Sequence, residues 1–186
     1  CAVGLAVGYR ANVWNIGAEG QLTIGAFFGG GVARAFHDTA SWLVLPAMVL
    51  SAMALGVLWA AIPGALQAWR GSHIVITTIM FNFIASSLLI YLLVGVLKEP
   101  GNMSPETRAF GRAAQMPGMH MVLAALGIEW PRSPLNASVL LAIAALIGVQ
   151  LLLWRTQLGY ALRAVGNSPQ AALYAGIEPK SLIVVA

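Results

Sequence analysis

Three polar clusters interrupt a chain otherwise made of long apolar runs, and any chemistry has to come from them. The first is Asn12-Val13-Trp14-Asn15-Ile16-Gly17-Ala18-Glu19-Gly20-Gln21. Asn15, Glu19 and Gln21 sit between two apolar stretches, and Gly17 and Gly20 would permit a helix to break there. Broken helices place free backbone groups and half-helix ends around a substrate near the middle of a bilayer. Glu19 is the only acid in the first thirty-six residues, and a carboxylate at membrane depth is a functional candidate. An interfacial loop with Glu19 in water fits the same spacing, so both readings stay open.

The second cluster is Thr77, Thr78, Asn82, Ser86 and Ser87. Thr78, Asn82 and Ser86 recur every fourth residue and share one face of a helix. The run that carries them is apolar enough to span, and its rise puts Asn82 close to mid-membrane. Such a strip could line a translocation path. Ser, Thr and Asn also hydrogen-bond between membrane helices, which is the favoured reading for the serines and threonines. For Asn82 the pathway reading is favoured.

The third cluster is Leu158–Ile177, which includes Gly159, Arg163, Gly166, Ser168, Pro169, Leu173, Tyr174 and Gly176. Ser168 suits an N-cap, Pro169 the first helical position and Gly176 the residue past a helix end. These signals predict a helix of about two turns outside the membrane, carrying Leu173 and Tyr174. A helix so short is unstable alone in water, so it must pack on this chain's own spans or on a partner.

The elements around these clusters are membrane spans. Trp42–Trp69, Ile74–Leu97 and Ala137–Trp154 approach or exceed the roughly 20 apolar residues that cross a hydrocarbon layer of about 30 Å. The fold class is therefore all-α, a polytopic transmembrane bundle. Hydrophobic residues make up 59% of the chain and charged residues 9%, outside the range of soluble domains. The net charge is +4, but the basic residues are scattered singly, which argues against nucleic acid. Cys1 is the single cysteine, so an internal disulfide is excluded.

Cys1–Tyr9 reads as the tail of a helix ending at Arg10, and Leu22–Phe36 as a short, glycine-containing apolar stretch. His37–Ser41 reads as a turn, and Ser72 as a cap for the second span. Lys98–Asn136 is a long polar loop with a possible surface helix over Met119–Ile128. Ser181–Ala186 begins another apolar run. The two ends read as cuts through membrane helices, within one incomplete domain over residues 1–186. Charge does not orient the chain: Arg70, Arg155, Arg163 and Lys180 on one side face Arg34, Lys98, Arg108, Arg112 and Arg132 on the other.

Three blocks in order resemble a known family. Asn15-Ile-Gly-Ala-Glu-Gly-Gln-Leu22 is similar to the signature of permease subunits from bacterial ABC importers of the simple-sugar and nucleoside group, a ribose-type, branched-chain-amino-acid-like family. Ile76-Thr-Thr-Ile-Met-Phe-Asn-Phe-Ile-Ala85 resembles a second block. Leu162-Arg-Ala-Val-Gly-Asn-Ser-Pro-Gln-Ala-Ala-Leu-Tyr-Ala-Gly-Ile177 resembles its cytoplasmic coupling loop. The form of the first block is closer to the nucleoside branch. The resemblance implies a fragment of a roughly ten-helix permease in the bacterial inner membrane, paired with an identical or sister permease. Its other implied partners are two ATPase subunits and an extracytoplasmic substrate-binding protein.

The resemblance also implies an orientation, with residues 155–180 cytoplasmic and 98–136 outside. Asn15, Glu19, Gln21, Thr78, Asn82 and Ser86 are then expected along the substrate pathway. The capped helix is expected to fit the ATPase through Leu173 and Tyr174, with Arg163 as a polar contact. ATP is expected on the partner, because the one Lys-Ser pair, Lys180-Ser181, follows Pro179 rather than a glycine-rich phosphate loop. An ATP-independent facilitator is the alternative. A membrane enzyme using Glu19 and a histidine is disfavoured, because His37, His73 and His120 lack metal-ligand spacing.

Overall fold

The computed structural model describes residues 2–36, 39–95, 97–98, 107, 110–111, 114–125, 127, 131 and 134–185. Its regular elements are helices: α1 (Ala2–Arg10), α2 (Ala18–Ala35), α3 (Ser41–Arg70), α4 (Ile74–Gly95), α5 (Met119–Ala125), α6 (Ser138–Arg155), α7 (Gln157–Asn167), α8 (Pro169–Tyr174) and α9 (Pro179–Val185). Three of them, α3, α4 and α6, are long and apolar enough to cross a membrane. Most of their side chains face outward, including Leu50, Phe83 and Leu146. An exposed apolar surface of this extent is stable only against lipid or other helices.

α2 and α3 are antiparallel, and small residues let them approach. Gly25 lies on the Ala52 carbonyl and Gly29, one turn later, against the Met48 carbonyl. This is close packing by small residues, the main source of association between helices in lipid. α3 keeps Pro46 and Pro63 inside its 30 residues. It ends at Gly71, whose left-handed φ of 67° lets its N–H donate to the Gln67 carbonyl. The Ser72 N–H then donates to the Leu66 carbonyl at 3.4 Å. α4 starts at Ile74 and the His73 carbonyl accepts its first intrahelical bond, from the Thr77 N–H at 3.1 Å, so His73 holds the N-cap position and Ser72 is not the cap of α4. Its hydroxyl is buried and unpartnered.

Two further boundaries differ from the sequence expectation. α2 begins at Ala18 rather than near Leu22, which brings Glu19 and Gln21 into its first turn. The span Leu158–Asn167 is helical as α7, with Thr156 accepting from the Gly159 N–H at 3.1 Å as its N-cap. Arg108, Arg112, Arg132 and His37 lie outside the described residues, as does Ile128 at the end of the expected surface helix.

The helix ends gather around one buried cluster: Ala11, Val13, Ile74, Leu162, Val165, Ala172 and Leu182. It joins the connection after α1, the start of α4, and helices α7, α8 and α9. α9 returns along α3, with the Val184 backbone against Gly64. This cluster, rather than any of the long spans, is the packed centre of the chain.

Candidate functional site

The break between α1 and α2 is built residue by residue. Asn12 adopts φ 58°, a left-handed conformation that asparagine tolerates better than most residues, and so ends α1. The Val13 N–H returns to the Gly8 carbonyl at 2.9 Å. Asn15 then folds its side chain onto the Gly17 N–H at 2.8 Å, a local turn that aims the chain into α2. From Val13 to Gly20 the chain climbs along α4, passing Ile74 at the buried cluster, then Thr78, then Asn82.

Asn82 closes this arrangement from the neighbouring helix. Its Oδ1 accepts from the Gly20 N–H at 2.9 Å, and its Nδ2 donates to the Ile16 carbonyl at 3.0 Å. The first N–H groups of any helix lack intrahelical partners. Gly17, at the N-cap, has no side chain to satisfy them, and the carboxamide of Asn82 supplies the acceptor in trans. This contact lies ~12 Å along α4 from Ile74, at about 1.5 Å per residue. α2 therefore starts alongside the interior of α4 rather than level with its first residue.

Glycine is required at the point of closest approach. A Cβ on Gly20 would meet Asn82 Oδ1 at 2.8 Å and the Asn82 Cα at 3.2 Å. Thr78 is fully buried beside Gly17, and its hydroxyl donates to the Ile74 carbonyl at 2.9 Å. Thr78 and Asn82 thus face α2, and Ser86 continues the same face, half-buried. Asn15 and Gln21 are half-buried, while Glu19 is exposed in the first turn of α2, where the helix dipole favours its charge. Asn15, Asn82 and the first turn of α2 come together, with Glu19 and Gln21 around them.

The second assembly is α7 and α8. Leu162 and Val165 are buried in the central cluster, and Gly166 rests on the Arg10 carbonyl, where a Cβ would overlap. Gly159 is seated as closely on the end of α6. Ser168 caps α8 by accepting from the Ala171 N–H at 3.3 Å, and Pro169 occupies the first position. Gly176, at φ 78°, follows the helix end, and the Ile177 N–H closes the turn on the Ala172 carbonyl at 2.9 Å. α8 buries Ala172 in the cluster but leaves Leu173 57% and Tyr174 95% exposed. Arg163 points elsewhere: its Nε donates to the Gly159 carbonyl, and its guanidinium lies 4.4 Å from the Trp154 ring centroid.

His73 is exposed and its carbonyl accepts from the Thr77 hydroxyl at 3.1 Å. Among the described residues, no group of three His, Cys, Asp or Glu side chains could hold a metal. The bridging role of Asn82 had one sequence signal: an asparagine in an apolar span at the level of a glycine-rich break. Its partner could not be read from the chain.

The family described as "Branched-chain amino acid transport system / permease component" matches residues 1–186. A glucose ABC transporter permease protein of Haloferax volcanii is 35% identical over 91% of this chain and 44% of its own length. A guanosine ABC transporter permease protein of Bacillus subtilis is 31% identical, covering 97% of this chain and 50% of its own. A nucleoside ABC transporter permease protein of Lactococcus lactis is 29% identical, covering 99% and 50%. The chain spans about half the length of these curated relatives. No solved structure matches it.

Proposed function

Since the chain belongs to the branched-chain amino acid transport permease family, we propose that it forms part of the translocation subunit of an ABC importer in the bacterial inner membrane. The solute is a nucleoside or simple sugar, in keeping with the relatives' names. The observation that carries this reading is α8, a capped helix seated on the buried cluster through Ala172 while Leu173 and Tyr174 face outward. Two large side chains exposed on a rigid six-residue rod form a knob for a partner's groove.

In this reading residues 155–180 are cytoplasmic and α8 docks on an ATPase subunit that binds and hydrolyses ATP. Residues 98–136 face an extracytoplasmic binding protein, and a second permease, identical or sister, completes the pathway. Force on α8 reaches Val13 and Ile74 through the cluster they share with Ala172. Those two residues stand at the foot of the α1–α2 break and of α4. A push there moves the Asn15–Asn82 region, where Glu19, Gln21 and Ser86 are placed to meet a polar solute. It shifts an inward–outward equilibrium only if the contacts of α8 differ between the two states. Arg163 serves the inner side of the coupling loop, holding α7 to α6 through Trp154.

The test is co-purification of the full-length protein with its ATPase, with and without the double substitution Leu173→Asp and Tyr174→Asp. Loss of the ATPase and of uptake, with unchanged membrane insertion, is the expected result. Retained assembly and uptake would remove the coupling role. Solute flux through the permease alone in liposomes would support the facilitator instead.

A further inference from the structure

Beside the cluster, at the end of α6, lies a cavity of about 440 Å³ lined by Tyr9, Arg10, Asn12, Trp14, Trp154, Arg163, Gly166 and Asn167. Two guanidinium groups share one indole there: Arg163 at 4.4 Å and Arg10 at 5.6 Å from the Trp154 centroid. Among the described residues no carboxylate lines the cavity, so two like charges converge there without a described counter-ion. The indole face offsets part of that repulsion. Arg163 is fixed by its Nε bond to Gly159, and its terminal nitrogens carry further N–H donors.

We propose that this cavity holds the phosphodiester headgroup of an anionic phospholipid, clamped by Arg10 and Arg163 over Trp154. Three aromatic residues, Tyr9, Trp14 and Trp154, surround it, and aromatic side chains of this kind sit at headgroup level in membranes. Below them the same helix faces turn apolar. Leu5 lies one turn from Tyr9 on α1, and Leu151 and Ile147 lie one and two turns from Trp154 on α6. All three are exposed, so the two helices that meet at the basic cavity also offer a surface for acyl chains. Inorganic phosphate offers guanidinium the same kind of acceptor oxygens but gains nothing from that apolar surface. Basic pockets between membrane helices bind lipid headgroups by this combination. The site requires only a membrane-spanning chain, and lipid retention at it is read without an ATPase present.

The full-length protein, purified in detergent, is examined by native mass spectrometry with phosphatidylglycerol and phosphatidylcholine. The wild type is expected to retain phosphatidylglycerol preferentially, and each arginine removed to cost about 5-fold, or ~25-fold in the Arg10→Gln/Arg163→Gln protein. Arg34→Gln, at the far end of α2, is expected to keep the preference. An unchanged preference in the double variant overturns the proposal. Should that variant fail to fold, Trp154 fluorescence, taken as the difference between wild type and Trp154→Phe, decides with three probes. A response to phosphatidylglycerol vesicles but to neither phosphatidylcholine vesicles nor inorganic phosphate supports the lipid site. An equal response to inorganic phosphate, or no response to phosphatidylglycerol, overturns it.

Discussion

Replacing Asn82 by leucine keeps the branched four-atom skeleton of the side chain but removes both hydrogen bonds that join α4 to the α1–α2 break. The Gly20 N–H, paired at 2.9 Å with Asn82 Oδ1, is in the first turn of α2 and has no intrahelical acceptor. The Ile16 carbonyl loses its donor at 3.0 Å. Polar bonds between membrane helices average about 0.6 kcal/mol and reach about 1.7. A buried N–H left unpaired costs about 1–3 kcal/mol. The two losses together should raise the free energy of holding the first turn of α2 by ~1–3 kcal/mol. That is about 5- to 150-fold in its opening equilibrium, since about 1.4 kcal/mol is a factor of ten. Amide hydrogen exchange of the full-length protein in lipid nanodiscs reads this directly in the segment Ile16–Leu22. Exchange there should accelerate within that range while α6 is unaffected. Asn82→Asp keeps an acceptor for Gly20 but sets a second acceptor oxygen against the Ile16 carbonyl, so it should not restore wild-type protection. Wild-type protection in Asn82→Leu would refute the capping role and return Asn82 to ordinary packing.

Substituting Glu19 by glutamine should reduce solute uptake without lowering membrane expression, because the carboxylate is exposed beside the break; uptake assays with expression-matched cells check it. Gly166→Val should detach α7 from α1, since a Cβ there overlaps the Arg10 carbonyl; the result would be a lower thermal midpoint and lost ATPase assembly. Ser168→Ala removes the cap of α8 and should cost about 1 kcal/mol locally, seen as faster exchange at Ala171 and weaker ATPase retention. The Leu173→Asp/Tyr174→Asp protein should keep the thermal midpoint of the wild type, because neither side chain is buried in the cluster.

The long spans are legible in the sequence because membrane length and lack of charge fix them almost alone: Ser41–Arg70 extends its expected run by one residue at each end, Ser138–Arg155 is shifted by one from Ala137–Trp154, and Ile74–Gly95 ends two residues before Leu97. α8 is equally legible, because Ser168, Pro169 and Gly176 each perform a local task. The start of α2 is not, since its cap comes from a residue on another helix. α7 was hidden for a different reason. Leu162 and Val165 share one buried stripe with Gly159, but the stripe is short, and the residues that seat it on α1 and α6, Gly166 and Gly159, are glycines that read as loop. Ser72 shows the converse: a residue type suited to capping that stands one position before the N-cap of α4, its hydroxyl buried without a partner.

The central claim is that α8 lies on the cytoplasmic side and meets a motor there. Tyr174→Cys in the full-length protein otherwise stripped of cysteine, Cys1 included, treated with a membrane-impermeant maleimide, tests it most directly. The account expects no labelling in intact cells, labelling in inverted vesicles, and protection when the ATPase is bound. Labelling in intact cells would place the exposed rod on the outer face and contradict the mechanism.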